Sequence, residues 1–191
     1  MSFYDWFEVE SGYIELTTDE NISVVCWTAP PLSLVKVIVD ASFICSETRA
    51  ITTAVIHDHE GLVIGASRRH YLAIHSIFTT EALAVLHGLS LAQDLGCASI
   101  QVESDSLAVV KSLNSTDTDR SEIRAITWDA KVKARSFNAC DFRFISRQGN
   151  RTAHALALVY RSELVEEFWV EEVPPEVLTV VDSDRRWSDP P

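Results

Sequence analysis

The sequence has few basic residues at its two ends. Its first 35 residues carry six acidic side chains and no Lys or Arg, and residues 162–191 carry nine acidic side chains against Arg185 and Arg186. Residues 36–161 hold 14 basic and 13 acidic side chains, so the formal charge of −12 belongs to the two ends. A net charge of this sign argues against nucleic acid as a partner of the whole chain. The nearly neutral middle is not subject to that argument.

Long apolar runs are also missing. No stretch approaches the roughly 20 apolar residues that span a bilayer, and the start, MSFYDWFEVE, has neither the basic nor the apolar part of a secretory signal. The four cysteines show no CxxC pair and no histidine at zinc-ligand spacing, which argues against a zinc site and a disulfide framework. These absences predict an intracellular protein, nuclear or cytoplasmic, with free thiols and no membrane contact.

The middle of the chain carries the regular hydrophobic periodicity. Runs rich in β-branched residues predict strands, and apolar residues at steps of three and four predict helices. The predicted strands are 35–44, 51–57, 62–71, 99–103 and 141–146. The predicted helices begin at Thr80, Ser106, Ser121 and Asn150. This order predicts an α/β domain with one five-stranded mixed sheet, in which three antiparallel strands are followed by two parallel additions, flanked by helices.

The length of 191 residues fits one domain with extensions. We predict an acidic N-terminal arm over 1–34, a folded domain over 35–161 and an acidic C-terminal tail over 162–191. In the arm, FEVESGYIEL predicts a hairpin about Ser11 and Gly12. In the tail, FWVEEVPPEVL is expected to pack on the domain or to bind a partner.

Three acidic residues occupy unusual positions. Asp40 interrupts the apolar strand VIVDASF, where an unpaired carboxylate facing the core would be costly. Asp105 directly follows the strand IQVES, and Glu81 lies near the start of a predicted helix. Each also has a structural explanation: Asp40 could face solvent from an edge strand, Asp105 could cap the next helix, and Glu81 could favour the helix dipole.

The motifs around these acids resemble, over about residues 27–161, the plant branch of the ribonuclease H type 1 superfamily. The motifs are WTAPPLSLVKVIVDAS, IHDHEGLVIGAS, TTEALAVLHGLSLAQDLG, IQVESDSLAVVKSL and FRFISRQGNRTAHALA. The resemblance implies the ribonuclease H fold and cleavage of the RNA strand in an RNA/DNA hybrid. It implies that Asp40, Glu81 and Asp105 hold two Mg²⁺ (or Mn²⁺) ions with the substrate. The neighbouring Glu103 is expected to point to the opposite face and to be structural.

The sequence departs from the family pattern at several positions. His154 stands where the family has a fourth catalytic acid, and a neutral imidazole binds Mg²⁺ less well than a carboxylate. We consider it either a catalytic proton shuttle or a structural relic. Ala41 replaces the usual glycine after the first acid, and Ile51 and Thr52 replace a glycine-rich strand, where they are expected to crowd a hybrid's minor groove.

The resemblance also implies contacts with nucleic acid. The candidates are Ser42, Ser106, Arg147 and Asn150. A basic segment could add phosphate contacts or be a solvated helix face, and its residues are Arg120, Arg124, Lys131, Lys133 and Arg135. Trp128 and Phe137 are expected to anchor this segment to the core.

Two functions follow from these residues. The favoured hypothesis is a divalent-metal-dependent endonuclease of the ribonuclease H type. The alternative is a domesticated, non-catalytic module of the same fold that binds nucleic acid or protein. In either case the acidic arms are candidates for binding a protein partner.

Overall fold

The computed structural model describes residues 27–116, 121–159 and 165–188. The predicted N-terminal hairpin and Arg120 lie outside these ranges. The strands are β1 (Val35–Ile44), β2 (Arg49–His57), β3 (Val63–Tyr71), β4 (Ser99–Ser104), β5 (Ala139–Phe144) and β6 (Glu167–Val170). The helices are α1 (Ile77–Asp94), α2 (Leu107–Asn114), α3 (Arg124–Ala134), α4 (Arg151–Leu158) and α5 (Leu178–Ser188), with a short 3-10 helix at Cys45–Glu47.

One six-stranded sheet runs through the described residues in the order β5-β4-β1-β2-β3-β6. β1, β2 and β3 are antiparallel neighbours, whereas β4 and β5 are added in parallel. The predicted mixed α/β fold is therefore confirmed, and all five predicted strands are present. The predicted strand count is wrong by one, because β6 pairs antiparallel with β3. Its four residues are too few for a period-two pattern to stand out in the sequence.

The central strand β1 is buried on both faces. Val37 and Val39 belong to the core cluster that contains Leu89 of α1, and Ile38 belongs to the cluster that contains Leu156 of α4. Because side chains alternate along a strand, Lys36 and Asp40 share the α4 face with Ile38. The alternation thus directs a carboxylate into the region between the sheet and α4.

Two local predictions about the helices are corrected. α1 begins one turn before Thr80, because the Ser76 side chain caps the helix by accepting a hydrogen bond from the Thr79 backbone N–H at 3.3 Å. Phe137 is buried as predicted, but Trp128 is 63% exposed and does not anchor α3 to the core. The buried residues Ile123, Thr127 and Ala130 pack that helix instead.

The segment after residue 164 packs on the domain. Glu167 of β6 pairs with the buried Arg68 at 3.3 Å, and Glu166 pairs with Arg69. Asp184 of α5 is 3% exposed and accepts a hydrogen bond from Thr152 of α4 at 2.7 Å. None of the helices in the described ranges is long and apolar enough to cross a bilayer.

Gly88 sets the distance between α1 and β1, and an alanine there should destabilise the fold. An added Cβ would lie 2.5 Å from Val39 Cγ1 and 3.0 Å from Val37 Cγ1, and both neighbours are β-branched side chains with little freedom to move. We expect Gly88→Ala to lower the free energy of unfolding by about 1–3 kcal/mol in urea titrations. In Gly88→Ala/Val39→Ala the cost should be less than the sum of the two single changes, whereas additivity would contradict the predicted clash.

Candidate active site

Asp40 lies on the α4 face of β1 and is 2% exposed. β1 has β4 on one side and β2 on the other, so Asp40 does not face solvent from an edge strand. Both of its carboxylate oxygens accept hydrogen bonds, Oδ1 from Asn150 Nδ2 at 3.1 Å and Oδ2 from His154 Nδ1 at 2.9 Å. These two partners offset the cost of burying the charge.

Asn150 holds Asp40 in place. Its side-chain amide donates to the Val39 carbonyl as well as to Asp40 Oδ1, both at 3.1 Å, and the residue is 0% exposed. A side chain without exposed surface is not available to a nucleic acid, so the predicted contact role of Asn150 is corrected to a positioning role. Asn150 and His154 are four residues apart at the start of α4, which places both on one helix face. That spacing was the signal in the sequence for their common partner.

His154 lies between Asp40 and Arg147. Arg147 Nη2 is 3.1 Å from His154 Nε2, and a guanidinium can only donate a hydrogen bond. His154 Nδ1 donates to Asp40 Oδ2, and Arg147 Nη2 also lies 3.4 Å from that same Nδ1 atom. Arg147 is exposed, whereas the His154 side chain is 27% exposed.

Glu81 extends toward these groups from α1. Glu81 lies beyond the first turn of α1, and that first turn contains no acidic residue. Interaction with the helix dipole therefore does not explain the position of Glu81. Its Oε2 atom is buried without a hydrogen-bond partner among the described residues. Burial raises the pKa of Glu81 well above its ordinary value, the charges of Asp40 and Asp105 raise it further, and Arg147 opposes the shift.

Asp105 occupies the link between β4 and α2. The N-cap of α2 is Ser106, so Asp105 is not the cap that its position suggested. Burial raises the pKa of Asp105, the charge of Asp40 raises it further, and Arg147 and His154 act in the opposite direction. The charge of Asp40 thus disfavours the ionisation of the carboxyl groups on α1 and on the β4–α2 link.

The prediction that Glu103 points to the opposite face of the sheet from the site is wrong. Glu103 is buried on the α4 face, where Oε1 is 2.9 Å from Lys36 Nζ and accepts from Gln101 Nε2 at 2.6 Å. Residues two apart along a strand share a face, so Glu103 lies on the same side as Gln101. Its role is structural because it is paired with a buried lysine.

The remaining predicted site residues are Ser42 and Ser106. Ser42 is half-buried two residues further along β1, opposite Ile51 of β2, and Ser106 is half-buried beside Asp105. Of the two residues expected to crowd the substrate, Thr52 points to the other face, where it hydrogen-bonds the buried His87 at 2.8 Å. Only Ile51 shares the face of Asp40.

The acidic groups suit a divalent cation by their chemistry. Carboxylate oxygens are the ligands that Mg²⁺ and Mn²⁺ prefer, and Glu81 Oε2 is a buried oxygen in need of a partner. Within residues 27–116, 121–159 and 165–188, however, no three His, Cys, Asp or Glu side chains stand close enough to hold one ion together. Binding at Asp40, Glu81 and Asp105 therefore requires these side chains to move closer.

The model of a family described as reverse transcriptase-like matches residues 38–159, which include Asp40, Glu81, Asp105 and His154. The chain belongs to the reverse transcriptase-like family. A search among curated proteins finds no significant match.

Solved structures that resemble this reverse transcriptase-like chain include RNase H1 proteins. RNase H1 from the archaeon Halobacterium salinarum is 20% identical, with a TM-score of 0.57 over 62% of this chain and 89% of that one. LC9-RNase H1, described as a type 1 RNase H with the type 2 active-site motif, is 13% identical, with a TM-score of 0.60 over 83% and 87%. LC11-RNase H1 in complex with an RNA/DNA hybrid is 17% identical, with a TM-score of 0.55 over 63% and 91%. The predicted ribonuclease H-like domain is confirmed in family and fold.

Proposed function

We propose that this protein is a divalent-metal-dependent endonuclease that cleaves the RNA strand of RNA/DNA hybrids. The observation that carries the proposal is the approach of Asp40, Glu81 and Asp105 from three separate elements, in a chain of the reverse transcriptase-like family. Mutual repulsion between carboxyl groups is tolerated in a fold when cations relieve it. LC11-RNase H1, which shares the fold, binds a hybrid.

In this proposal Asp40, Glu81 and Asp105 hold the ions, Mg²⁺ or Mn²⁺. Such ions, when bound, polarise the scissile phosphate and lower the pKa of a bound water. Asn150 fixes the Asp40 side chain through Oδ1, so that Oδ2 keeps a defined direction. Arg147 is exposed beside the acids, where its guanidinium can pair with a phosphate of the substrate. Ser42 and Ser106 are proposed hydroxyl donors to the same backbone.

His154 has a defined part in this arrangement. Because its Nδ1 donates to Asp40 and its Nε2 faces Arg147, the ring connects the buried carboxylate with the exposed guanidinium. We propose that His154 orients Asp40 and exchanges a proton at Nε2 with solvent or substrate when Arg147 turns to the phosphate.

The test of the proposed function is cleavage of a labelled RNA/DNA hybrid in the presence of Mg²⁺ or Mn²⁺. We expect products only when RNA is paired with DNA, and none with the same RNA alone, with duplex RNA or after chelation of the cation. Cleavage of single-stranded RNA at an equal rate would contradict the hybrid specificity. Absence of cleavage of every substrate with either cation would contradict the proposed enzymatic activity.

A second candidate function is a non-catalytic module of the same fold. The observation that favours it is the pair of hydrogen bonds to Asp40, because Asn150 and His154 already satisfy both carboxylate oxygens without a cation. A module of this kind would bind a hybrid with an affinity that is unaffected by chelation. Retained binding together with absent cleavage would identify it.

Replacing His154 by aspartate should strengthen cation binding. The substitution removes a hydrogen bond to Asp40 Oδ2 and places a further carboxylate beside it, which a cation would neutralise. We expect His154→Asp to bind Mn²⁺ roughly tenfold more tightly in calorimetry and to show a larger rise in Tm on adding Mn²⁺. His75→Asp is the matched control, since His75 is exposed and the same charge is added elsewhere. Equal Mn²⁺ affinities of the two variants would contradict the prediction.

A further inference from the structure

The outer edge of β6 is open among the described residues. β6 is the last strand of the sheet, and β3 is the strand that pairs with it. The Glu171 backbone N–H donates to the Ile64 carbonyl, and the register pairs Trp169 with Ala66. Since successive residues of a strand direct their backbone groups to opposite sides, those of Phe168 and Val170 point away from β3.

The same two residues expose apolar side chains. Phe168 is 50% exposed and Val170 is 54% exposed, and they lie on one face because they are two residues apart. Trp169 between them is partly buried and packs against the core on the other face. An open backbone edge beside a pair of exposed apolar side chains is the surface to which an extended peptide adds as a strand.

Charge indicates which strand could add there. Glu166 and Glu167 are paired with Arg69 and Arg68 on the sheet side. Glu171 and Glu172 follow the strand and are exposed, and their carboxylates make no hydrogen bond or ion pair with the described residues. The open edge therefore ends in two carboxylates whose charge is not neutralised locally.

Like charges disfavour the two occupants that this chain itself could supply. A second copy of β6 would bring its own acidic residues against these carboxylates. Residues 1–26 carry six acidic side chains and no basic one. A strand with basic side chains gains attraction where these acidic strands would be repelled.

We propose that the β6 edge binds an extended segment of another protein in which apolar and basic residues alternate. The backbone of Phe168 and Val170 pairs with the segment, their side chains contact its apolar residues, and Glu171 and Glu172 attract its basic ones. β6 lies outside the family match over 38–159. Binding at its edge is a function separate from the proposed nuclease activity.

The test uses a short fluorescein-labelled peptide of alternating valine and lysine, with fluorescence anisotropy as the measurement. A second peptide of equal charge has its central valine replaced by proline, which removes a backbone donor and disrupts the strand. We expect the first peptide to bind at least tenfold more tightly than the second. Equal binding of the two would overturn the proposal, because it would show only the attraction of basic peptides to an acidic protein.

Variants of the chain locate the site. Val170→Pro removes an outward N–H without removing a bond to β3, and Glu171→Lys/Glu172→Lys reverses the charge. Each variant is expected to weaken binding of the first peptide at least tenfold. Leu32→Ser, at an exposed apolar residue elsewhere, should leave that binding unchanged. Full affinity in both β6 variants would overturn the assignment. Self-association of the chain that Val170→Pro abolishes would also overturn it, in favour of a second copy.

Discussion

Replacing Asp40 by asparagine is expected to abolish hybrid cleavage, with a loss of roughly a thousandfold or more in kcat/KM. Asparagine keeps the shape of the side chain and can still accept a hydrogen bond from Asn150 through its amide oxygen. It removes the negative charge that lies between His154 and Asn150 and that the proposed ions require. The measurement is the initial rate on a labelled hybrid with saturating Mg²⁺ or Mn²⁺.

The matched control for this loss is Asp94→Asn. Asp94 is an exposed aspartate at the end of α1, so the same chemical change there leaves the site intact. Tm measurements of both variants show whether the fold is preserved. Cleavage by Asp40→Asn at the rate of Asp94→Asn would mean that Asp40 is not part of the active site, or that the activity belongs to a contaminant.

Acidification is expected to destabilise the fold through two buried histidines. Burial lowers the pKa of His57 to about 4 and that of His87 to about 3, from an ordinary value of 6.5. Between these values and 6.5 the unfolded chain binds more protons than the folded chain, so stability is present above pH 6.5 and is lost as the pH falls. At pH 5 the loss is about 2 kcal/mol for each histidine, or about 4 kcal/mol together, relative to pH 7.5.

The measurement is the free energy of unfolding from urea titrations at pH 7.5 and pH 5. Glu81 acts in the opposite direction, because its raised pKa means that the folded state takes up a proton and gains stability as the pH falls. The comparison with His57→Gln/His87→Gln isolates the histidines, since Glu81 is common to both proteins. The variant should lose about 4 kcal/mol less than the native chain over this range. An equal loss in both would contradict the assignment to His57 and His87.

The surroundings of His87 explain why its pKa is lowered. Its ring lies between Thr52 and Ser67, with Nδ1 2.8 Å from one hydroxyl and Nε2 2.9 Å from the other. A neutral imidazole donates at one nitrogen and accepts at the other, and each hydroxyl can take either part. Protonation would leave two donors and a charge in a site that is 1% exposed, which explains the direction of the shift.

The sequence predicted most of the strands and helices, and it pointed to the candidate residues of the site. Strands with a clear pattern of β-branched residues, such as 35–44, and helices with apolar residues at regular steps were predicted correctly, because these periods are local properties of the chain. Asp40 was identifiable because a carboxylate in the middle of an apolar strand needs a special reason. The motif order was sufficient to indicate the family and its fold.

Only the tertiary structure decided the partners of those residues. Asp40 is bound by Asn150 and His154, more than 100 positions away along the chain, and no periodicity predicts such a contact. The sixth strand also depended on tertiary structure, because four residues of β6 form a strand only when β3 offers its edge and Arg68 and Arg69 pair with Glu167 and Glu166. Local sequence determines which secondary structure a segment can form, whereas long-range packing and charge determine which neighbour it contacts. The candidate site of this protein depends on those long-range contacts.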